Sequence, residues 1–133
     1  MLKNIPSVLS PDLLWCLASM GHAERLVLVD RNFPAHDVAR HTSTGKLIEL
    51  PGLDIPQATR AILSVMPLDD FIPAPVSRMQ VVGEPDTLLP MQAEVHAIAK
   101  ECEGRDVGLE ALERFAFYAV SYTHLTLPTI LLV

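Results

Sequence analysis

The chain has 133 residues, half of them apolar, and its 16 acidic against 10 basic residues give a formal net charge of −6. That length suits one domain with a sizeable core, built mainly from Leu, Val, Ile, Ala and Met because aromatic residues are few. An acidic balance without a basic cluster argues against phosphate-driven nucleic-acid binding. No apolar run approaches the roughly 20 residues needed to span a bilayer.

The opening MLKNIPSVLSPDLL does not read as a signal peptide, because Pro6, Pro11 and Asp12 break any apolar stretch. Ser10-Pro11-Asp12 reads as a helix start: a capping hydroxyl, a proline suited to the first position and an acid at the positive end. Leu13, Leu14, Leu17 and Met20 then recur at helical spacing, and Gly21 suits the helix end. Cys16 falls on that apolar face as a small buried thiol. Neither it nor Cys102 sits in a zinc-binding pattern, and two unpatterned thiols fit a reducing, cytoplasmic setting.

Arg25 to Val29 reads as a strand buried on both faces. Residues 31–45 read as a loop and Lys46 to Leu50 as a short strand. Asp54 is placed to cap a second helix, with Ala58, Ile62, Leu63 and Met66 inward and Pro67 as its stop. Val76 to Val82 reads as a strand, Gly83 to Pro90 as a turn-rich loop, and Pro90 to Glu103 as a third helix. In that helix Val95, Ile98 and Ala99 face inward, and His96 lies on the solvated face. The segment LERFAFYAV fits a strand through Phe115, Phe117 and Ala119, and equally a helix through Leu112, Phe115 and Ala119. Alternating helices and strands indicate an α/β sandwich.

Few polar residues stand where chemistry would use them. His22 precedes the buried strand and Asp30 ends it, at the strand's carboxyl end, where open α/β sheets bind ligands. An imidazole there serves as a proton carrier near neutral pH, and a carboxylate holds a hydroxyl or orients the imidazole. The bland alternative has His22 on a helix-end carbonyl and Asp30 capping the next turn. His36 and His41 would have to join His22 and Asp30 for a metal site, but their spacing matches no ligand pattern. Arg114 precedes Phe115-Ala116-Phe117-Tyr118, where a guanidinium beside rings suits a sugar, or simply flanks a core segment. There is no GxGxxG, P-loop or GxSxG motif.

The stretch MLKNIPSVLSPDLLWCLASMGHAERLVLVDRNFPAH resembles the opening of the RbsD/FucU family, the D-ribose pyranases and L-fucose mutarotases. Asn32-Phe33-Pro34-Ala35-His36 is similar to the fucose branch, as is Arg114-Phe115-Ala116-Phe117-Tyr118. The resemblance implies an RbsD-like three-layer sandwich, a central mixed sheet flanked by helices. It also implies a ring-like homo-oligomer, such as a decamer, with sites at subunit interfaces. The implied activity is interconversion of the α and β anomers of L-fucose or a similar sugar, by ring opening and without metal or organic cofactor. By matched position, His22 is the proton donor, Asp30 and Arg114 bind the sugar, and His36 and Tyr118 lie in matched motifs. A D-ribose pyranase and a non-catalytic sugar-binding protein of the same fold are the alternatives.

The resemblance runs through residues 1–119. The tail VSYTHLTLPTILLV departs from it: the family continues into a further strand and a sugar-binding Tyr-x-Asn, which Tyr122-Thr123-His124 does not supply. VSYTHLTLPT is similar to one translated frame of a sequencing-library adapter. Residues 120–133 are therefore expected to be a non-family tail, leaving the sandwich truncated at its C-terminal strand.

Overall fold

The computed structural model describes residues 1–123 and 129–132, with side chains through Ser121. Of the expected tail, residues 124–128 and 133 lie outside the described residues. The order is α1 (Pro11–Ser19), β1 (Leu26–Val29), α2 (Ala35–Ala39), β2 (Leu47–Glu49), α3 (Ile55–Leu63), β3 (Val76–Met79), α4 (Pro90–Glu103), β4 (Leu109–Leu112), α5 (Arg114–Thr123) and β5 (Thr129–Leu132).

The helix starts follow local chemistry. The Ser10 hydroxyl accepts from the Leu13 amide at 3.2 Å. The Asp54 carboxylate accepts from the Gln57 amide at 2.7 Å while the Gln57 side chain accepts from the Asp54 amide at 3.0 Å, a reciprocal pair that satisfies two otherwise orphaned donors. α4 has the boundaries expected of it and stops at Gly104 in the left-handed conformation, φ 67°. α1 ends at Ser19, two residues before its expected glycine: Met20 is extended, and the left-handed residue that follows is Ala23, φ 66°. A β-carbon in that region costs about 1–2 kcal/mol.

β1 divides two cores. Val27 and Val29 face one cluster with Ala35 and Val38. Leu26 and Leu28 pack on the other, formed by Leu13, Cys16 and Leu17 of α1, Ile48 of β2, and Ala58 and Ile62 of α3. Such two-sided burial is what the unbroken apolar run of β1 dictates. Parallel β5 lies between β1 and β2, with Leu26 opposite Thr129. β3 and β4 form a separate parallel pair.

The α/β layering is as expected, with several differences in detail. Where one mixed sheet was expected, the described ladders are parallel and fall into two sheets. The stretch 31–45, expected to be loop, contains α2. Its Ala35, Val38 and Ala39 are small enough to sit against β1 while its polar residues face out. β3 stops at Met79, short of Val82. β4 has no counterpart in the sequence reading, and the ambiguous LERFAFYAV is the end of β4 followed by α5. Glu113 settles that choice by accepting from the amides of Phe115 and Ala116, which opens a helix.

Candidate functional site

β1, β3, β4 and parts of α1, α3, α4 and α5 enclose a groove of about 1250 Å³. Its walls are mostly apolar, and its polar lining includes His22, Asp30, Asp69, Arg78 and Gln92. The groove has this shape because β1 and β3 belong to different sheets and both contribute their full length to its lining.

His22 sits in the turn between α1 and β1, its side chain 64% exposed. The turn is held by the Gly21 amide, which donates to a Glu24 carboxylate oxygen at 2.6 Å, and by the Glu24 amide, which donates to the Gly21 carbonyl. Nδ1 of His22 lies 3.0 Å from Oδ2 of Asp69. Separation and direction disagree here. The distance is that of an ion pair, but the approach is out of line with the ring N–H, so this buried oxygen has no formed hydrogen bond among the described residues. The Phe71 ring meets the imidazole edge-on, centroids 5.3 Å apart.

Asp30 opens on the same groove from the carboxyl end of β1. Its Oδ1 accepts from the Asn32 amide at 2.9 Å and its carbonyl from Phe33 at 3.2 Å, so it does cap the next turn. That turn aims Phe33 into the groove lining. Tyr118 stacks on Phe33 at 5.3 Å with 16° between planes, and the Arg114 guanidinium stands 5.9 Å from the Tyr118 ring. Arg114, Tyr118, Phe33 and Asp30 thus form one chain of contacts, although Arg114 itself lines a smaller recess of about 290 Å³ with Gln80, Glu113 and Phe115.

The structure does not bring His36 to this groove. It projects from α2 with its Nε2 3.9 Å from a Glu49 carboxylate oxygen across β2. Among the described residues, no three His, Cys, Asp or Glu side chains gather in a metal-holding arrangement. His96 corrects its expected solvated placement: it is half-buried, with Nε2 2.7 Å from the Val107 carbonyl.

Two groove residues escaped the sequence reading. Asp69 lies on the loop before β3, and Arg78 lies within β3. Arg78 donates through Nη2 to the Pro85 carbonyl at 3.0 Å, while its buried Nη1 has no hydrogen-bond partner among the described residues. An arginine inside the expected strand Val76 to Val82 was the available signal for Arg78; Asp69 in Leu68-Asp69-Asp70 carried none.

The model of the RbsD / FucU transport protein family matches residues 3–127. The chain belongs to this family. The fucose mutarotase of Mus musculus is 38% identical over 120 residues, covering 88% of this chain and 76% of that protein. The L-fucose mutarotase of Actinobacillus pleuropneumoniae serotype 5b is 40% identical over 119 residues, covering 89% and 78%. Among solved structures, protein Atu2016 superposes with a TM-score of 0.90 at 41% identity, covering 99% of this chain and 86% of that one. The fucose mutarotase of Streptococcus pneumoniae, solved in complex with L-fucose, superposes at 0.77 with 32% identity, covering 98% and 86%. The RbsD/FucU fold is therefore the frame in which the groove sits. No helix of the described residues is long and apolar enough to cross a membrane.

Proposed function

We propose that this RbsD/FucU protein is a monosaccharide mutarotase, interconverting the α and β anomers of L-fucose or a similar sugar in the cytoplasm. One observation carries the reading: His22, Asp30 and Arg78 all line one groove. A proton carrier, a hydroxyl acceptor and a hydroxyl donor are the groups a polyol substrate needs. The relatives named for fucose mutarotation support the choice of sugar.

His22 acts as general acid and base. A proton passes to the ring oxygen as one leaves the anomeric hydroxyl, the C1–O5 bond breaks, and the open-chain aldehyde forms. Rotation about C1–C2 presents the other carbonyl face. Reclosure returns the proton, so nothing is consumed. An imidazole runs both directions near neutral pH. Asp30, Arg114 and Tyr118 hold hydroxyls or the sugar's C–H face, and Arg78 adds a donor.

The strand sets a further condition. The four residues of β1 alone separate His22 from Asp30 by roughly 13 Å at 3.3 Å per residue. That backbone span is longer than one monosaccharide, so within one chain both ends meet the same sugar only if the two side chains lean toward each other along the groove; an assembly offers a second route. In the ring-like homo-oligomer the His22 end of one copy meets the Asp30 end of its neighbour. Mixing His22→Ala and Asp30→Ala chains under reassembly conditions then restores part of the activity that each lacks alone; no recovery would place the working pair within one chain.

Saturation-transfer NMR between the fucose anomers tests the activity. Wild-type protein speeds exchange and His22→Ala loses most of the acceleration, of order 10²–10⁴ for a positioned acid/base. Binding of fucose without faster exchange would make this a sugar-binding protein, and faster exchange of ribose than of fucose would make it a ribose pyranase.

A further inference from the structure

We infer that Asp69 is the positioning residue for His22, holding the imidazole by its Nδ1–H so that Nε2 is left free to take up and return the sugar's proton; this rests on the mutarotase reading above. The carboxylate is itself fixed on every side. Its Oδ1 accepts from the Phe71 amide at 2.8 Å. Its backbone carbonyl accepts from Arg105 at 3.4 Å, and the preceding Leu68 amide donates to Glu103 at 2.7 Å. Glu103, on the last turn of α4 and 13% exposed, stands 3.7 Å from Arg105. The loop bearing Asp69 is therefore pinned to the end of α4, and only Oδ2, 3.0 Å from His22, remains to be satisfied.

A buried carboxylate oxygen left without a donor is costly, because it has given up its hydration and gained no hydrogen bond in return. The imidazole is mostly exposed, so a small turn that aligns its Nδ1–H with Oδ2 relieves that cost and fixes both ring plane and tautomer. The proton-accepting lone pair then falls on Nε2. Catalytic hydrogen bonds that are out of line in an empty site commonly tighten when substrate binds. The Phe71 ring on the edge of the imidazole limits the alternative rotation.

Asp69→Asn keeps the shape and removes the charge. With fucose as substrate, kcat falls about 10- to 100-fold while KM stays within about twofold, by analogy with outer partners of catalytic imidazoles. Asp69→Glu recovers part of that loss, because a carboxylate is restored. Independently of activity, ¹⁵N shifts of His22 in the full chain, taken where imidazoles are neutral, show the Nδ1–H tautomer in wild type and its loss in Asp69→Asn. An unchanged kcat in Asp69→Asn, equal loss in kcat and affinity, or an Nε2–H tautomer in wild type would each overturn the assignment. Wild-type protein that shows the Nδ1–H tautomer and yet does not accelerate exchange would sink the mutarotase reading and leave the Asp69–His22 contact standing.

Discussion

Leu13→Ala is the sharpest test of how α1 holds its end of the groove. Leu13 is 0% exposed and packs with Cys16, Leu17, Ile48, Ala58 and Ile62. Truncation removes three carbons, about 2.4 kcal/mol at 0.8 kcal/mol each, and the cavity left behind raises the total to about 3–4 kcal/mol. With an unfolding entropy of about 2.1 cal/mol/K per residue over 133 residues, the midpoint falls by roughly 11–14 °C. Urea unfolding with an unchanged m-value measures the loss directly. Anomer exchange is then followed well below the new midpoint. There the rate stays near wild type, because the turn bearing His22 is tied by Gly21 and Glu24 and does not depend on the helix core alone. A loss under about 1 kcal/mol would refute the packing of α1 between β2 and α3.

Three further expectations follow from other parts of the molecule. A β-carbon at Gly108 would collide with the Pro73 carbonyl oxygen, so Gly108→Ala costs about 1–3 kcal/mol as an overpacked site, measurable by the same urea titration. Glu101 is held below the usual carboxylate range, first by its hydrogen bond from Arg60 and then by the Arg60 charge; its contribution is full above the ordinary carboxylate range and fades as pH falls through its lowered value, so Arg60→Ala moves the Glu101 midpoint upward in a ¹³C NMR titration. Sequencing the locus from a library-free amplicon yields a reading frame that diverges from this chain after about Ala119; codons matching residues 120–133 in genomic DNA would show the tail to be genuine.

What the sequence disclosed, and what it hid, divides by distance along the chain. Ser10-Pro11-Asp12, the Asp54 cap and Pro90 are local signals, and each opened a helix where it stood, although α3 ends at Leu63, short of Met66 and the expected stop at Pro67. β4 has no periodicity to announce it: Leu109 to Leu112 becomes a strand only because β3 lies alongside and Gly108 lets Pro73 come close. α2 is equally silent, since its buried face is two alanines and a valine. At the candidate site His22 and Asp30 were legible because they flank one apolar run. Asp69 was not, because only folding brings it to His22. His36 was picked out by its motif, and within one chain the fold turns it toward Glu49 rather than the groove. His96 was read from helix spacing alone, which says nothing of the Val107 carbonyl waiting beside it.

The β3–β4 pair forms one wall of the groove, yet none of its side chains is fully buried. A two-stranded element of this kind is marginal unless something braces it. Here the brace is slight: α4 reaches it through Gln92, whose side-chain amide donates to the Met79 carbonyl at 2.9 Å. Among the described strands this wall is accordingly expected to open before β1, as a unit and at a fraction of the global unfolding free energy. Amide protons of Val76 to Met79 exchange with solvent well ahead of those in β1, and proteases nick the flanking loops before the α1–α3 core has loosened.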